Sequence, residues 1–300
     1  MVKTNERGCD DTLGVCGMEE GDKPTNDHFK LEIYVFTDPL CPACWGMEPK
    51  LKKIQLEYGH LFKMRFFIVP EAASWCVNEQ NQKSLVDLWE TTATRTGMCC
   101  DGDIWHENPL SHSEAPAIAV KAAEMQGRQY GILYLRRLRE ALFLKKENIS
   151  NEEILLSCAK RTQLDLEEFR KDLNSDLARK ALESDVNTTH EMDAEAVPTM
   201  IFFNDRIEDA GLKVSGLHSY DVYEDILAKM LGDYPQARKK MDIDEFVRTY
   251  QFVATQEVAE VYDLSMKEAN ARLKALQLQQ KVESIPVKRG TFWQPIPPEK

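Results

Sequence analysis

A Cys-x-x-Cys motif directly after a short apolar run constrains this chain more than any other feature. The run Leu31–Phe36 is rich in β-branched and aromatic residues, which favours a buried strand, and Cys41-Pro42-Ala43-Cys44 follows it. The segment Glu48–Tyr58 has apolar residues at helical spacing, and Phe62–Val69 predicts a second strand. The motif therefore lies between a strand and a helix of one βαβ unit.

This position gives the two cysteines a specific chemistry. A sulfur at a helix N-terminus lies near free backbone N–H groups and the positive end of the helix dipole, which stabilise a thiolate. Cys41 is therefore the candidate nucleophile, and Cys44, one turn further on, is the candidate resolving thiol. Pro42 suits the first helical turn, where its missing N–H is not needed.

The motif alone also fits half of a zinc site, so a second feature is needed to interpret it. A zinc ribbon needs another cysteine pair at similar spacing, and the adjacent Cys99-Cys100 does not supply one. Val197-Pro198 precedes an apolar run far along the chain, where thioredoxin-like proteins carry a cis-proline against the Cys-x-x-Cys turn. We therefore predict a thioredoxin-like α/β fold with Cys41, Cys44 and Pro198 together. Catalysis, redox sensing and a scaffold role for the thiols all stay open.

The chain divides into four predicted stretches. Residues 1–28 are polar with few aliphatic side chains, which predicts a flexible leader, and residues 29–233 form the thioredoxin-like domain. Within it, about five successive helical patterns over residues 80–192 predict a helical insertion. Strand character returns at Thr199–Phe203, and residues 238–300 form a separate small domain.

The last 60 residues have the outline of a winged helix. Helices are predicted over Asp244–Ala254, Gln256–Val261 and Met266–Leu278, followed by two strands that begin at Val282 and Thr291. Residues 242–300 carry nine acidic and eight basic side chains. A DNA-binding domain normally has a strongly basic face, so protein docking is predicted in preference to DNA binding, and a purely structural role stays open.

The overall charge excludes several classes of function. A net charge of −12 disfavours binding to nucleic acid or to anionic lipid, because both need clustered cations. No apolar segment resembles a secretory signal or a membrane span, which predicts a cytoplasmic protein with reduced thiols. Cys76, Cys99, Cys100 and Cys158 are expected to be buried thiols, and the scattered histidines are expected at the surface.

Several stretches together resemble one bacterial family. The residues that carry the resemblance are Leu31–Trp45, Arg95–Gly102, Lys121–Arg128, Leu164–Phe169, Tyr220–Glu224 and Glu260–Ser265. The first of them resembles the opening of DsbA-like proteins. The combination, which extends from about residue 29 to 294, resembles the YjbH/SpxH family of Firmicutes.

The resemblance implies a DsbA-like domain followed by a winged-helix domain in a non-enzymatic adaptor. Such an adaptor binds the transcription regulator Spx and promotes its degradation by the ClpXP protease under stress control. Partners of thioredoxin-like proteins often approach beside the cis-proline, which makes Trp45, Val197 and Pro198 candidate partner-binding residues. The alternative from the residues alone is a cytosolic thiol–disulfide oxidoreductase that uses the Cys41–Cys44 motif.

No cofactor is expected in the folded domains. Some members of the family have a histidine-rich leader that is implicated in zinc binding. This leader has no histidine cluster, but Cys9 and Cys16 could ligate zinc there.

Overall fold

The structure is a computed structural model that describes residues 29–70, 81–110, 114–206 and 210–297. It also describes the backbone of two short leader strands, β1 (Cys9–Asp10) and β2 (Val15–Cys16), which pair antiparallel with Cys9 opposite Cys16. The rest of the predicted leader lies outside the described residues, as do Cys76 and His112.

A four-stranded mixed sheet forms the centre of the main domain. Its strands are β3 (Leu31–Thr37), β4 (Phe62–Ile68), β5 (Thr199–Asn204) and β6 (Leu212–Ser215), in the order β4-β3-β5-β6. β3 runs parallel to β4 and antiparallel to β5, and β5 runs antiparallel to β6. Because β3 has a strand on each side, its apolar residues are buried, as its sequence predicts.

Two long helices pack beside this sheet. The helix α1 (Pro42–Tyr58) connects β3 to β4, and the apolar residues on both strands and on α1 share one core. After β6, a helix at Tyr220–Leu231 packs on the same core and ends at Gly232, which has a φ of +86°. A positive φ is a conformation that glycine adopts without strain, so the predicted end of this helix is confirmed.

The insertion between β4 and β5 is helical, as predicted, but its described residues contain seven helices rather than five. They are α2 (Gln82–Thr96), α3 (Ile104–Glu107), α4 (Glu114–Glu124), α5 (Arg128–Lys145), α6 (Glu152–Arg161), α7 (Leu166–Leu173) and α8 (Asp176–Glu191). The helix at Tyr220–Leu231 is thus α9. The insertion core includes Trp89 and Trp105, both with no exposed surface.

The C-terminal unit contains three helices and a small sheet. They are α10 (Ile243–Tyr250), α11 (Thr255–Val261), α12 (Met266–Leu278), β7 (Val253–Ala254), β8 (Val282–Pro286) and β9 (Thr291–Pro295), with the strand order β7-β9-β8. The prediction that the first helix extends to Ala254 is wrong. Gln251 has a φ of 63° and ends α10, and Val253 and Ala254 instead pair with Trp293 and Phe292.

The C-terminal unit packs directly on the thioredoxin-like domain. Phe292 and Ala254 belong to the same buried cluster as Trp45 and the insertion helices. The connecting residues 233–242 form no helix or strand, and Arg238 N–H donates to Glu57 O at 2.9 Å. The two units therefore share a core. No helix among the described residues is long and apolar enough to cross a membrane.

Candidate functional site

The Cys-x-x-Cys turn has the geometry of a thioredoxin-like motif. Cys41 is the N-cap of α1, and its Sγ accepts a hydrogen bond from the backbone N–H of Cys44 at 3.2 Å. The Val197–Pro198 peptide bond is cis, and the Cys41 Sγ lies 3.8 Å from the Val197 carbonyl oxygen. The structure therefore brings together Cys41, Cys44 and Pro198, as the sequence predicts.

Both sulfurs are shielded from solvent. Cys41 exposes 4% of its surface and Cys44 exposes 1%, and both are free thiols. The hydrogen bond between the two thiols and burial raise the pKa of Cys41 well above the usual value. The raised pKa favours the thiol of Cys41 over the nucleophilic thiolate, which is opposite to the thiolate stabilisation predicted from its position at a helix N-terminus.

The three predicted partner-binding residues differ in how much of each side chain is exposed to solvent. Trp45 has no exposed surface and Pro198 is buried, whereas Val197 is half-buried. The indole N–H of Trp45 donates to Cys99 O at 3.0 Å. In this arrangement Val197 is the one of the three that presents side-chain surface to a partner.

The C-terminal unit is part of what covers Trp45. The Trp45 ring stacks against Phe292 of β9 with a centroid distance of 6.3 Å, and against Phe143 of α5 at 5.7 Å. The Arg136 guanidinium lies over the indole, 4.4 Å from its centroid. Trp45 therefore connects the Cys-x-x-Cys helix to both the insertion and the C-terminal unit.

A buried group of charges continues from Arg136 into the C-terminal unit. Glu257 on α11 has no exposed side-chain surface and accepts two hydrogen bonds from Arg136, each at 3.0 Å. It also pairs with Lys52 of α1 and accepts the backbone N–H of Ala254 at 2.6 Å. Burial raises the pKa of Glu257, but the charges of Arg136 and Lys52 outweigh it and lower the pKa to about 2.

A second buried arginine ties this network to the strand that precedes the motif. Arg139 is 1% exposed, donates to Glu48 at 2.6 Å and to Asp38 O at 3.2 Å, and also bonds Thr37. Glu48 lies 3.5 Å from Arg136 as well, so both arginines share it. Sequence reasoning missed Arg136 and Arg139, because charged residues on a helix usually face solvent. The signal that could have found them is their position among the apolar residues of α5.

The loop between β8 and β9 makes a further set of ion pairs with the insertion. Lys288 Nζ lies within 2.9 Å of carboxylate oxygens of Glu90, Asp101 and Asp103, and Arg289 pairs with Glu90 at 2.6 Å. These three carboxylates are close enough together to hold a cation. Here the Lys288 ammonium occupies the centre of that group.

The other predicted residues have structural positions. Cys99, Cys100 and Cys158 are buried free thiols, so the adjacent pair Cys99-Cys100 forms no disulfide. The described histidines at positions 106, 190 and 218 are exposed, as predicted. The predicted zinc ligands Cys9 and Cys16 face each other in the backbone pairing of β1 and β2, and their metal binding stays a prediction.

Comparisons with known proteins agree with this geometry. The thioredoxin family model matches residues 34–225. A protein of Halalkalibacterium halodurans named ClpXP adapter protein SpxH is 45% identical over 297 residues, which cover 96% of this chain and 97% of that protein. The protein of the same name from Bacillus subtilis is 46% identical over 89% of each chain. This chain belongs to the SpxH family.

The SpxH-family match covers a larger share of the chain than the structural matches do. The cytosolic disulfide reductase DsbM of Pseudomonas aeruginosa superimposes with a TM-score of 0.53 at 17% identity and covers 67% of this chain and 97% of its own. A Nitrosomonas europaea protein described as a candidate protein disulfide isomerase superimposes with a TM-score of 0.60 at 15% identity. The match covers 68% of this chain and 98% of that protein. These matches show the DsbA-like thioredoxin fold alone.

Proposed function

We propose that this chain is a cytoplasmic, non-enzymatic adaptor that binds the transcription regulator Spx and promotes its degradation by the ClpXP protease. The observation that carries the proposal is the 45% identity to a ClpXP adapter protein SpxH over 96% of this chain. That span is too long to leave out the C-terminal unit, whereas the structural matches to DsbA-like proteins cover about two thirds of the chain.

The environment of the thiols supports a binding role over a catalytic one. A thiol–disulfide oxidoreductase needs an accessible thiolate at its first cysteine. Cys41 is 4% exposed and its pKa is raised by its hydrogen bond with Cys44 and by burial. The adjacent Trp45, which follows the motif, is covered by Phe292 of the C-terminal unit.

The test is the rate at which purified ClpXP degrades Spx with and without this protein. We expect the protein to accelerate Spx degradation and to leave an unrelated ClpXP substrate unaffected. An unchanged rate of Spx degradation would refute the adaptor function, and equal acceleration of both substrates would refute its specificity for Spx.

A thiol–disulfide oxidoreductase is the second candidate function. It is favoured by the cis Val197–Pro198 bond beside the Cys41 sulfur and by the similarity of the fold to the cytosolic disulfide reductase DsbM. Insulin reduction with a dithiol reductant separates the two functions. Turnover that disappears in Cys41→Ala would support the enzyme, and no turnover above the reductant alone would exclude it.

A further inference from the structure

A groove between the two units is lined by residues of both. Its volume is about 660 Å³, which lies within the usual range for ligand sites. One wall belongs to α5 and α6 and includes Arg137, Lys145 and Arg161. The other wall belongs to the C-terminal unit and includes Ile285 of β8 and Val287, which directly follows that strand. The groove therefore exists only when the two units are packed together.

The groove combines apolar surface with cations. Leu144, Phe252, Ile285 and Val287 are half-buried along it, so each keeps part of an apolar side chain available for contact. Partner-binding surfaces of this kind gain affinity by burying such side chains and gain orientation from a few polar groups.

The α5–α6 wall carries more positively charged side chains than negatively charged ones. Glu140, 1% exposed, accepts hydrogen bonds from Arg137 at 2.8 Å and from Arg161 at 3.1 Å. The same carboxylate also pairs with Arg136, which Glu257 already neutralises. The single negative charge of Glu140 is thus shared between the guanidinium groups of Arg137 and Arg161.

Lys145 adds a further cation to this wall. It is exposed and forms no ion pair with any of the residues that the structure describes. The carboxylate of Glu283 lies on the opposite wall, where it accepts a hydrogen bond from the side-chain amide of Gln294. The wall of α5 and α6 is therefore a local cationic surface on a chain with a net charge of −12.

We infer that this groove binds a segment of the adaptor's protein substrate in which carboxylate side chains lie next to apolar ones. Carboxylates match the surplus guanidinium and ammonium groups, since arginine binds them with two parallel hydrogen bonds. Apolar side chains match the opposite wall of Ile285 and Val287. The inference deepens the proposed adaptor function and rests on it.

The charges are tested with the double variant Lys145→Glu/Arg161→Gln and its matched control, Arg179→Gln/Lys180→Glu. The control makes the same two changes on exposed residues of α8 that do not line the groove. We expect the groove variant to bind Spx at least about tenfold more weakly, because two attractive charges are lost and one repulsive charge is added. The control is expected to bind like the wild type.

The outcomes separate this inference from the adaptor function. If the wild type binds Spx and the groove variant binds equally well, the groove is not the docking site but the adaptor function stands. If the wild type neither binds Spx nor accelerates its degradation, the adaptor function itself fails. Affinity is also expected to fall as salt is raised, and a salt-independent affinity would count against the charge contribution.

Site-specific photo-crosslinking tests the location without weakening the fold. A photoreactive amino acid at Lys145 is compared with the same residue at Ala196, beside the cis-proline, and at Leu177 on α8; the last two positions are also exposed. We expect Spx to crosslink from Lys145 through a peptide that contains aspartate or glutamate. Crosslinking mainly from Ala196 would place the partner at the Cys-x-x-Cys face and overturn the inference.

Discussion

Removal of the Glu257 carboxylate should weaken the packing of the C-terminal unit on the thioredoxin-like domain and lower the free energy of unfolding. Glu257 is fully buried between Arg136 and Lys52, so Glu257→Ala removes the carboxylate closest to both cations and leaves them to share the more distant Glu48. The difference between the usual glutamate pKa of 4.5 and a value of about 2 corresponds to ~3 kcal/mol of stability. Loss of one partner of a buried ion pair typically costs about 3–5 kcal/mol, which agrees.

The assay is urea unfolding followed by tryptophan fluorescence, because Trp45 and Trp293 lie at or near this contact. The matched control is Glu260→Ala on the same helix, whose carboxylate lies 3.7 Å from Lys50 and is partly exposed. We expect Glu260→Ala to lower the free energy of unfolding by less than about 1 kcal/mol. Equal losses for the two variants would refute the view that the buried network holds the units together.

The same carboxylate gives a pH dependence with a defined sign. The pKa of Glu257 is lower in the folded protein than the usual value, because the charges of Arg136 and Lys52 outweigh the burial that would raise it. Its contribution is therefore complete above about pH 4.5 and disappears as the pH falls towards about 2. Between these limits the wild type should lose stability more steeply than Glu257→Gln.

Three further predictions concern other parts of the structure. Because its pKa is raised by the Cys44 hydrogen bond and burial, Cys41 should react with iodoacetamide at pH 7 more slowly than glutathione does; a faster reaction would contradict its shielding. Arg139→Met should lower the free energy of unfolding in urea by about 3 kcal/mol, whereas Arg170→Met, an exposed control, should leave it nearly unchanged. Equal effects would argue against stabilisation by the buried ion pair of Arg139 with Glu48. Lys288→Ala leaves Glu90, Asp101 and Asp103 without a central cation, so Ca²⁺ should raise the melting temperature of this variant but not of the wild type.

Local sequence patterns were sufficient to predict the site's core. The β-branched run at Leu31–Phe36 and the proline in the first turn of α1 specify the strand and helix that hold Cys41 and Cys44. Pro198 was identifiable because an X–Pro bond is the one peptide bond for which the cis form costs little. These features depend on neighbouring residues, so they are visible in the sequence.

Features that depend on distant contacts were not visible. The end of α10 was predicted four residues too late, because Val253 and Ala254 have helical spacing but pair with β9 instead. The burial of Trp45 depends on Phe292, which lies almost 250 positions further along the chain. Arg136, Arg139 and Glu257 look like surface residues until packing places them together.

The most direct test of a scaffold role for the Cys-x-x-Cys motif is Spx degradation by ClpXP with Cys41→Ser/Cys44→Ser. Serine keeps nearly the same size and removes the thiol chemistry, and its hydroxyl at position 41 can replace Sγ as the partner of the Cys44 N–H and the Val197 carbonyl oxygen. The account predicts that the variant accelerates Spx degradation at the wild-type rate. A variant that folds normally and gives no acceleration would contradict it, because the motif's chemistry would then be required for function.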